Sequence, residues 1–239
     1  MKIIGIIPAR FASTRFPGKP LAELRGKKIL QWVVEGARTS LLLSEIHVAT
    51  DDQRIFDFCQ SIGASAIMTS TDCVTGTDRI CEATRHLDFD YVINIQGDEP
   101  LVNKDYIDPL AKAFVENQSL EMVTLAHPFE AEDLNNMNAV KVITNQNDEA
   151  IYFSRFPIPF SREGFVPGIV QKHIGLYGYS RKFLQTFCTT PQTQIEKFES
   201  LEQLRALYLG ARIKVISVSK PTYGVDTPED LQKLEALLK

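Results

Sequence analysis

The sequence predicts an α/β fold: a twisted, mixed, mostly parallel sheet with helices on both faces. Three observations carry that expectation. The first is the uninterrupted apolar run Ile3-Ile4-Gly5-Ile6-Ile7, closed by Pro8. Its β-branched residues fit a strand buried on both faces, and Pro8 removes a backbone donor and ends the ladder. The second is an alternation of strand and helix patterns up to Met68, the signature of βαβ units with right-handed crossovers. The third is size: 239 residues with 44% hydrophobic content suit one large α/β domain or two small ones with a sizeable core.

The elements follow in order. Residues 29–40 suit a helix with Ile29, Leu30, Val33, Val34 and Ala37 on one face. Residues 46–50 form a strand. Asp51 and Asp52 then offer N-caps for a helix carrying Ile55, Phe56, Cys59 and Ile62, which Gly63 ends. Residues 66–68 are a short third strand, and residues 91–95 a further buried one. A helix is expected within 103–117, with Pro109 in its first turn. Strands follow at 122–126 and 140–144. Residues 195–209 read as one helix, with Ile195, Phe198, Leu201, Leu204 and Tyr208 on its core face and Gly210 as its stop. The last strand is 213–218. Thr227 caps a final helix, with Pro228 at its first position and Asp230 closing an imperfect capping box.

The loop after the first strand carries Arg10, Arg15 and Lys19, with Ser13, Thr14 and Gly18 among them. Ligands of open α/β sheets bind beyond the carboxyl ends of the strands, and three cations there suit a polyphosphate. The loop lacks the glycine and Ser/Thr pattern of a P-loop, and no G-x-G-x-x-G follows the strand, which argues against a nicotinamide enzyme. The hydroxyl-rich run 69–79 fits either a loop offering amides and hydroxyls to a base or phosphate, or simply a capped turn before the next helix, with Thr77 as cap. Asp98, at the end of a buried strand, fits either a cap or an oxygen ligand for a hard cation; beside the cationic loop a metal–triphosphate site is the better account.

Other classes recede. The net charge of −4 without a long basic block argues against a nucleic-acid partner. The first apolar run is too short for a signal peptide, and no stretch reaches the length of a membrane span. Cys59, Cys73, Cys81 and Cys188 form no C-x-x-C and need no disulfide framework. A soluble protein of a reducing, cytoplasmic compartment is expected.

Residues 7–21, IPARFASTRFPGKPL, resemble the amino-terminal signature of the 3-deoxy-manno-octulosonate (Kdo) cytidylyltransferases. The resemblance extends through the run 75–79, QGDEP at 96–100, NAVKV at 138–142, AIYFSRFPIP at 150–159, HIGLYGY at 173–179, EQLR at 202–205 and GVDTPEDL at 224–231. Thr75 stands where Ser is usual, keeping the hydroxyl; Cys73 stands where His is frequent, and Gln194 where Pro is usual.

The resemblance implies a Rossmann-like nucleotidyltransferase fold in a single domain, residues 1–120 mainly binding CTP and 121–239 mainly binding sugar and forming a homodimer. It implies transfer of CMP from CTP to Kdo, releasing pyrophosphate, for lipopolysaccharide assembly. Arg10 and Lys19 would stabilise phosphate charge, and Asp98 and Asp226 would hold Mg²⁺. Ala9, Ser13, Arg15, Thr71, Thr75, Gly76, Arg79 and Gln96 would contact CTP. Arg155 would grip the sugar carboxylate through parallel hydrogen bonds. His173 and Tyr177, on one face if their segment is a strand, would join Glu202 and Gln203 around the sugar. A related 2-keto sugar acid (8-amino-Kdo or a sialic acid) is the nearest alternative substrate, and a non-catalytic nucleotide-sugar sensor the alternative class.

Overall fold

The computed structural model describes residues 1–13, 15–162, 164 and 168–238, so Thr14 lies outside the described residues. The chain has an α/β fold with a mixed, mostly parallel sheet. It divides into two compact units: Met1–Lys112 with Thr222–Lys239, and Ala113–Pro221.

Unit 1 begins with β1 (Ile3–Ala9), whose isoleucines are buried as the apolar run requires. A small antiparallel pair, β2 (Glu23–Leu24) and β3 (Lys27–Lys28), leads into α1 (Ile29–Ala37). That helix buries the five residues expected of it. Then come β4 (Glu45–Thr50), α2 (Gln53–Ser61), β5 (Ser65–Met68), α3 (Gly76–Ala83) and β6 (Tyr91–Asn94). The strands run parallel in the order β6-β1-β4-β5. Their shared direction collects the loops after β1, β4, β5 and β6 at one end of the sheet.

The cap of α2 is Asp52, which accepts from the Arg54 amide at 2.9 Å. The cap of α3 is Thr75 rather than Thr77: Thr75 and Asp78 form a complete capping box, and Thr77 is buried inside the first turn. In α4 (Lys104–Glu116), Pro109 sits in the interior, not the first turn, because the helix starts at Lys104. The C-terminal helix Pro228–Leu237 opens with the expected Thr227 cap, and its capping box with Asp230 is also complete. Leu24, Ile29, Val225 and Leu234 form a buried cluster that fastens this last segment of unit 1 to its first.

Unit 2 contains β7 (Met122–Pro128), β8 (Lys141–Thr144), β9 (Ala150–Ser154), β10 (Gln171–Ser180) and β11 (Ile213–Ser217). β11 pairs with β7 in parallel; β7–β10, β10–β8 and β8–β9 are antiparallel. α5 (Arg181–Thr189) follows β10 directly.

The single helix expected over 195–209 is two helices, α6 (Gln194–Glu199) and α7 (Gln203–Tyr208), broken at Ser200 with φ 51°. The cause is a tertiary pair. On a continuous helix Glu196 and Arg205 would stand on opposite faces, about 13.5 Å apart along the axis. The break folds them together, Arg205 Nε and Nη2 donating to both Glu196 oxygens at 2.9 and 2.6 Å. The expected core face is corrected accordingly: Leu201 and Leu204 are buried, while Ile195, Phe198 and Tyr208 are exposed. Among the described residues, no helix is long and apolar enough to cross a membrane.

Candidate active site

The carboxyl ends of the unit 1 strands surround a cleft lined by Ala9, Arg10, Ser13, Arg15, Lys19, Thr75, Gly76, Arg79, Gln96, Asp98 and Asp226. Thr71 is exposed and stands outside that lining. Local chemistry places each group. Gly18, with φ 72°, donates its amide to the Phe11 carbonyl at 2.9 Å, which closes the cationic loop and turns Lys19 inward. Gly97 passes so close to β1 that a Cβ there would lie 2.6 Å from the Pro8 carbonyl oxygen, so only glycine brings Asp98 alongside that strand end. The Val225 amide donates to the Asp98 carbonyl at 2.8 Å, which docks the turn carrying Asp226.

Lys19 joins the two acids. Its ammonium donates to Asp98 Oδ2 at 2.8 Å and to Asp226 Oδ1 at 3.3 Å. Arg15 donates to the other Asp226 oxygen at 3.0 Å. Arg10 is exposed and has no ion-pair partner among the described residues. The amino end of α3 also opens on the cleft at Gly76, where backbone N–H groups and the helix dipole favour an anion.

Two predicted contacts carry structural duties as well. The Thr75 hydroxyl accepts from the Asp78 amide in the capping box, leaving its proton free to donate. Arg79 is only 2% exposed; it donates to Asp51 at 2.7 Å and to the Thr69 hydroxyl and Ser70 carbonyl, tying α3 to the ends of β4 and β5. Asp51 is therefore an ion-pair partner rather than a cap.

Glu99 was not among the expected site residues. Burial first, and the Asp98 charge second, push its carboxyl up to about 8, so it is protonated at neutral pH. Oε1 accepts from Thr222 at 3.2 Å, and Oε2 is buried without a partner. Glu99 thus adds no charge to the two acids beside it. Its adjacency to Asp98 hinted at shared space, but its neutrality depends on packing that spacing does not reveal. Cys73 also lines the cleft, donating to Glu82 at 3.1 Å; burial and that carboxylate push the thiol up to about 12, which leaves it unreactive.

The donor set fits a hard divalent cation. Two carboxylates converge on one ammonium, so the position between them already attracts positive charge, and both offer oxygen. Among the described residues, no group of three or more His, Cys, Asp or Glu side chains could ligate a metal. Two carboxylates, with water and phosphate completing the shell, match the needs of Mg²⁺.

Unit 2 holds the remaining predicted residues. Tyr177 donates to Gln203 Oε1 at 3.1 Å, and Gln203 Nε2 is buried without a partner. His173 and Tyr177 share one face of β10, with ring centroids 5.4 Å apart. Burial pushes the His173 imidazole down to about 3, so the ring is neutral, and burial raises the Tyr177 phenol. Glu202 stands at the amino end of α7.

Arg155 lies at the carboxyl end of α6, where Nε, Nη1 and Nη2 donate to the Glu199, Met137 and Ser200 carbonyls at 2.9, 3.0 and 3.3 Å. Three of its five donors are occupied, and two remain for a ligand. Lys141, from the NAVKV run, is buried and donates to the Asn136 and Arg155 carbonyls at 2.7 and 3.1 Å. Glu199 accepts from the Ser154 hydroxyl at 2.7 Å and the Arg155 amide at 2.9 Å. Sequence patterning marked neither residue as a support for Arg155.

A cleft of cations and two convergent carboxylates, at the strand ends of an α/β sheet, has the make-up of a nucleotidyltransferase-type site. The family described as cytidylyltransferase matches residues 4–213. A 3-deoxy-manno-octulosonate cytidylyltransferase from Bdellovibrio bacteriovorus is 56% identical across 100% of this chain and 98% of its own. One from Trichlorobacter lovleyi is 47% identical across 100% and 99%. Among solved structures, CMP:2-keto-3-deoxy-manno-octonic acid synthetase complexed with CTP superposes with a TM-score of 0.95 at 39% identity, covering 100% of this chain and 98% of that one. A cytidylyltransferase from Leptospira borgpetersenii shares the fold, with a TM-score of 0.67 at 20% identity over 99% of this chain and 86% of that one. The chain belongs to the cytidylyltransferase family and, within it, to the 3-deoxy-manno-octulosonate cytidylyltransferases.

Proposed function

We propose that the protein transfers CMP from CTP to the anomeric hydroxyl of Kdo, releasing pyrophosphate, as a cytoplasmic homodimer that supplies lipopolysaccharide assembly. The observation that carries the reading is the meeting of Lys19 with Asp98 and Asp226 inside a cleft that also presents Arg10, Arg15 and the amino end of α3.

The reaction is substitution at the α-phosphorus. The sugar oxygen forms the new P–O bond, the bond to pyrophosphate breaks, and the hydroxyl proton is lost. Positioning and charge stabilisation dominate such chemistry. Arg10 and Lys19 hold the phosphate oxygens on which charge grows, and Arg15 holds the triphosphate further along. Ala9, Ser13, Thr75, Gly76, Arg79 and Gln96, which line the cleft, complete the nucleotide contacts. Asp98 and Asp226 would hold Mg²⁺, which when bound polarises the α-phosphate and offsets charge that two carboxylates would otherwise repel. Arg155 pairs its two remaining donors with the sugar carboxylate, and His173, Tyr177, Glu202 and Gln203 take the sugar hydroxyls.

Pyrophosphate release tests the reading directly. CTP with Kdo is expected to turn over far faster than ATP or GTP with Kdo, and faster than CTP with 8-amino-Kdo or a sialic acid. Equal turnover with the purine nucleotides would overturn the cytidine assignment. Faster turnover of another 2-keto sugar acid would replace Kdo, and magnesium-dependent turnover of any of them would exclude a sensor.

A further inference from the structure

β10 carries an irregularity where it passes β7. His173 lies opposite Ala126 and Ile174 opposite Leu125, but the next partner, Thr124, faces Tyr177. Gly175 and Leu176 are therefore extra. Inserting two residues rather than one preserves the alternation of faces, so His173 and Tyr177 stay on the same side.

Thr124 fills this bulge. Fully buried, its Oγ1 lies 2.8 Å from the Leu176 carbonyl oxygen, 3.3 Å from that of Ile174 and 3.0 Å from His173 Nε2. Both carbonyls can only accept, and the hydroxyl has one proton. That proton belongs to the shorter contact, with Leu176. Turning it toward His173 would leave two oxygen lone pairs facing each other at 2.8 Å. The hydroxyl thus presents a lone pair to His173, and Nε2 must carry hydrogen.

A neutral imidazole holds hydrogen on one nitrogen only, so Nδ1 is a bare acceptor. It has no hydrogen-bond partner among the described residues. Phe153 and Tyr177 flank the ring at centroid distances of 5.0 and 5.4 Å and restrict its rotation.

We propose that Thr124 is a positioning residue: clamped in the bulge, its hydroxyl holds His173 as the Nε2–H tautomer, so that Nδ1 accepts a hydrogen bond from a hydroxyl of the acidic sugar. The inference rests on the reading of the His173 cluster as sugar-binding. It adds a polarity to the site, because the cluster then offers an acceptor at Nδ1 and a buried, unpartnered donor at Gln203 Nε2.

The test is ¹⁵N NMR of the full chain labelled at histidine, with the His173 signals assigned by their loss in His173→Gln. Wild type is expected to show the Nε2–H form; an Nδ1–H form overturns the proposal without any variant. In Thr124→Val the Nδ1–H form should appear, and KM for the sugar should rise about tenfold, the scale of a lost hydrogen bond, while KM for CTP stays constant. Thr124→Ser should restore both readouts. Should Thr124→Val not fold, Thr124→Ala carries the same comparison.

An unchanged tautomer in the folded variant overturns the role of Thr124. A changed tautomer with unchanged sugar KM overturns the link to recognition, and His173→Gln then separates two failures. If it raises the sugar KM, only Thr124 was misassigned; if it does not, His173 is no sugar ligand and the underlying reading of unit 2 fails.

Discussion

The Lys19 side chain is 14% exposed, and its ammonium contacts the carboxylates of Asp98 and Asp226, whose side chains are 32% and 45% exposed. Pairs as open as these contribute roughly 0–1 kcal/mol to stability, so the arrangement is better explained by ligand binding than by folding. The opposite holds for His173, which is half-buried and whose partial desolvation has a measurable cost. Its imidazole falls from the ordinary value of 6.5 to about 3 in the folded protein. Between those values the unfolded chain binds a proton that the native ring refuses. The stability present above pH 6.5 is therefore lost as pH falls toward 3, by at most about 1.4 kcal/mol per pH unit and by less where water reaches the ring. Thermal unfolding from pH 6.5 to 4.5 should show a smaller fall in Tm for His173→Gln than for wild type; equal falls would contradict the assignment. Lys19 and Asp98 are singled out in the sequence by residue type and by position beyond a strand, whereas Asp226 is singled out only by the family resemblance; the structure brings the three side chains together. Thr124 and Glu99 are not legible there, because their chemistry arises from contacts, a bulge in one case and burial beside Asp98 in the other.

The most consequential element is the break between α6 and α7. Arg205 binds both Glu196 oxygens, donates to the Phe187 and Thr190 carbonyls at 3.3 Å, and lies 4.5 Å from the Phe187 ring centroid, so it ties α5, α6 and α7 together. Arg205→Ala strands the Glu196 charge in the interior and should cost about 3–5 kcal/mol in urea unfolding. Combining Glu196→Gln with Arg205→Met removes the stranded charge and should recover part of that loss. A loss below about 1 kcal/mol in the single variant would show that the pair does not hold the break. The strands of unit 1 could be read directly because β-branched apolar runs between Pro, Gly and Asp carry both type and limits. The break could not. Helical periodicity over 195–209 is a local signal, and it remains continuous although a contact nine residues apart overrides it. Pro109 was misplaced for a related reason: the start of α4 lies at Lys104, and nothing in the local pattern moves it nearer the proline.

At the scale of the molecule, the chain leaves unit 1 after Lys112 and re-enters it at Thr222. That return, docked by Val225 on the Asp98 carbonyl and by Leu234 in the core, brings an acid from the last segment beside one from the middle and a lysine from the first. The central claim is that this closure exists to bind Mg²⁺ and triphosphate together. It is tested most directly by kcat against Mg²⁺ concentration for Asp98→Asn and Asp226→Asn, with Tm as the folding control. Because both acids are partly exposed, either change should leave Tm nearly unaltered. Each should lower kcat by about a hundredfold or more, as expected on losing a charge-stabilising group, and move the Mg²⁺ midpoint to higher concentration. A variant that kept wild-type kcat and an unchanged Mg²⁺ midpoint would contradict the account.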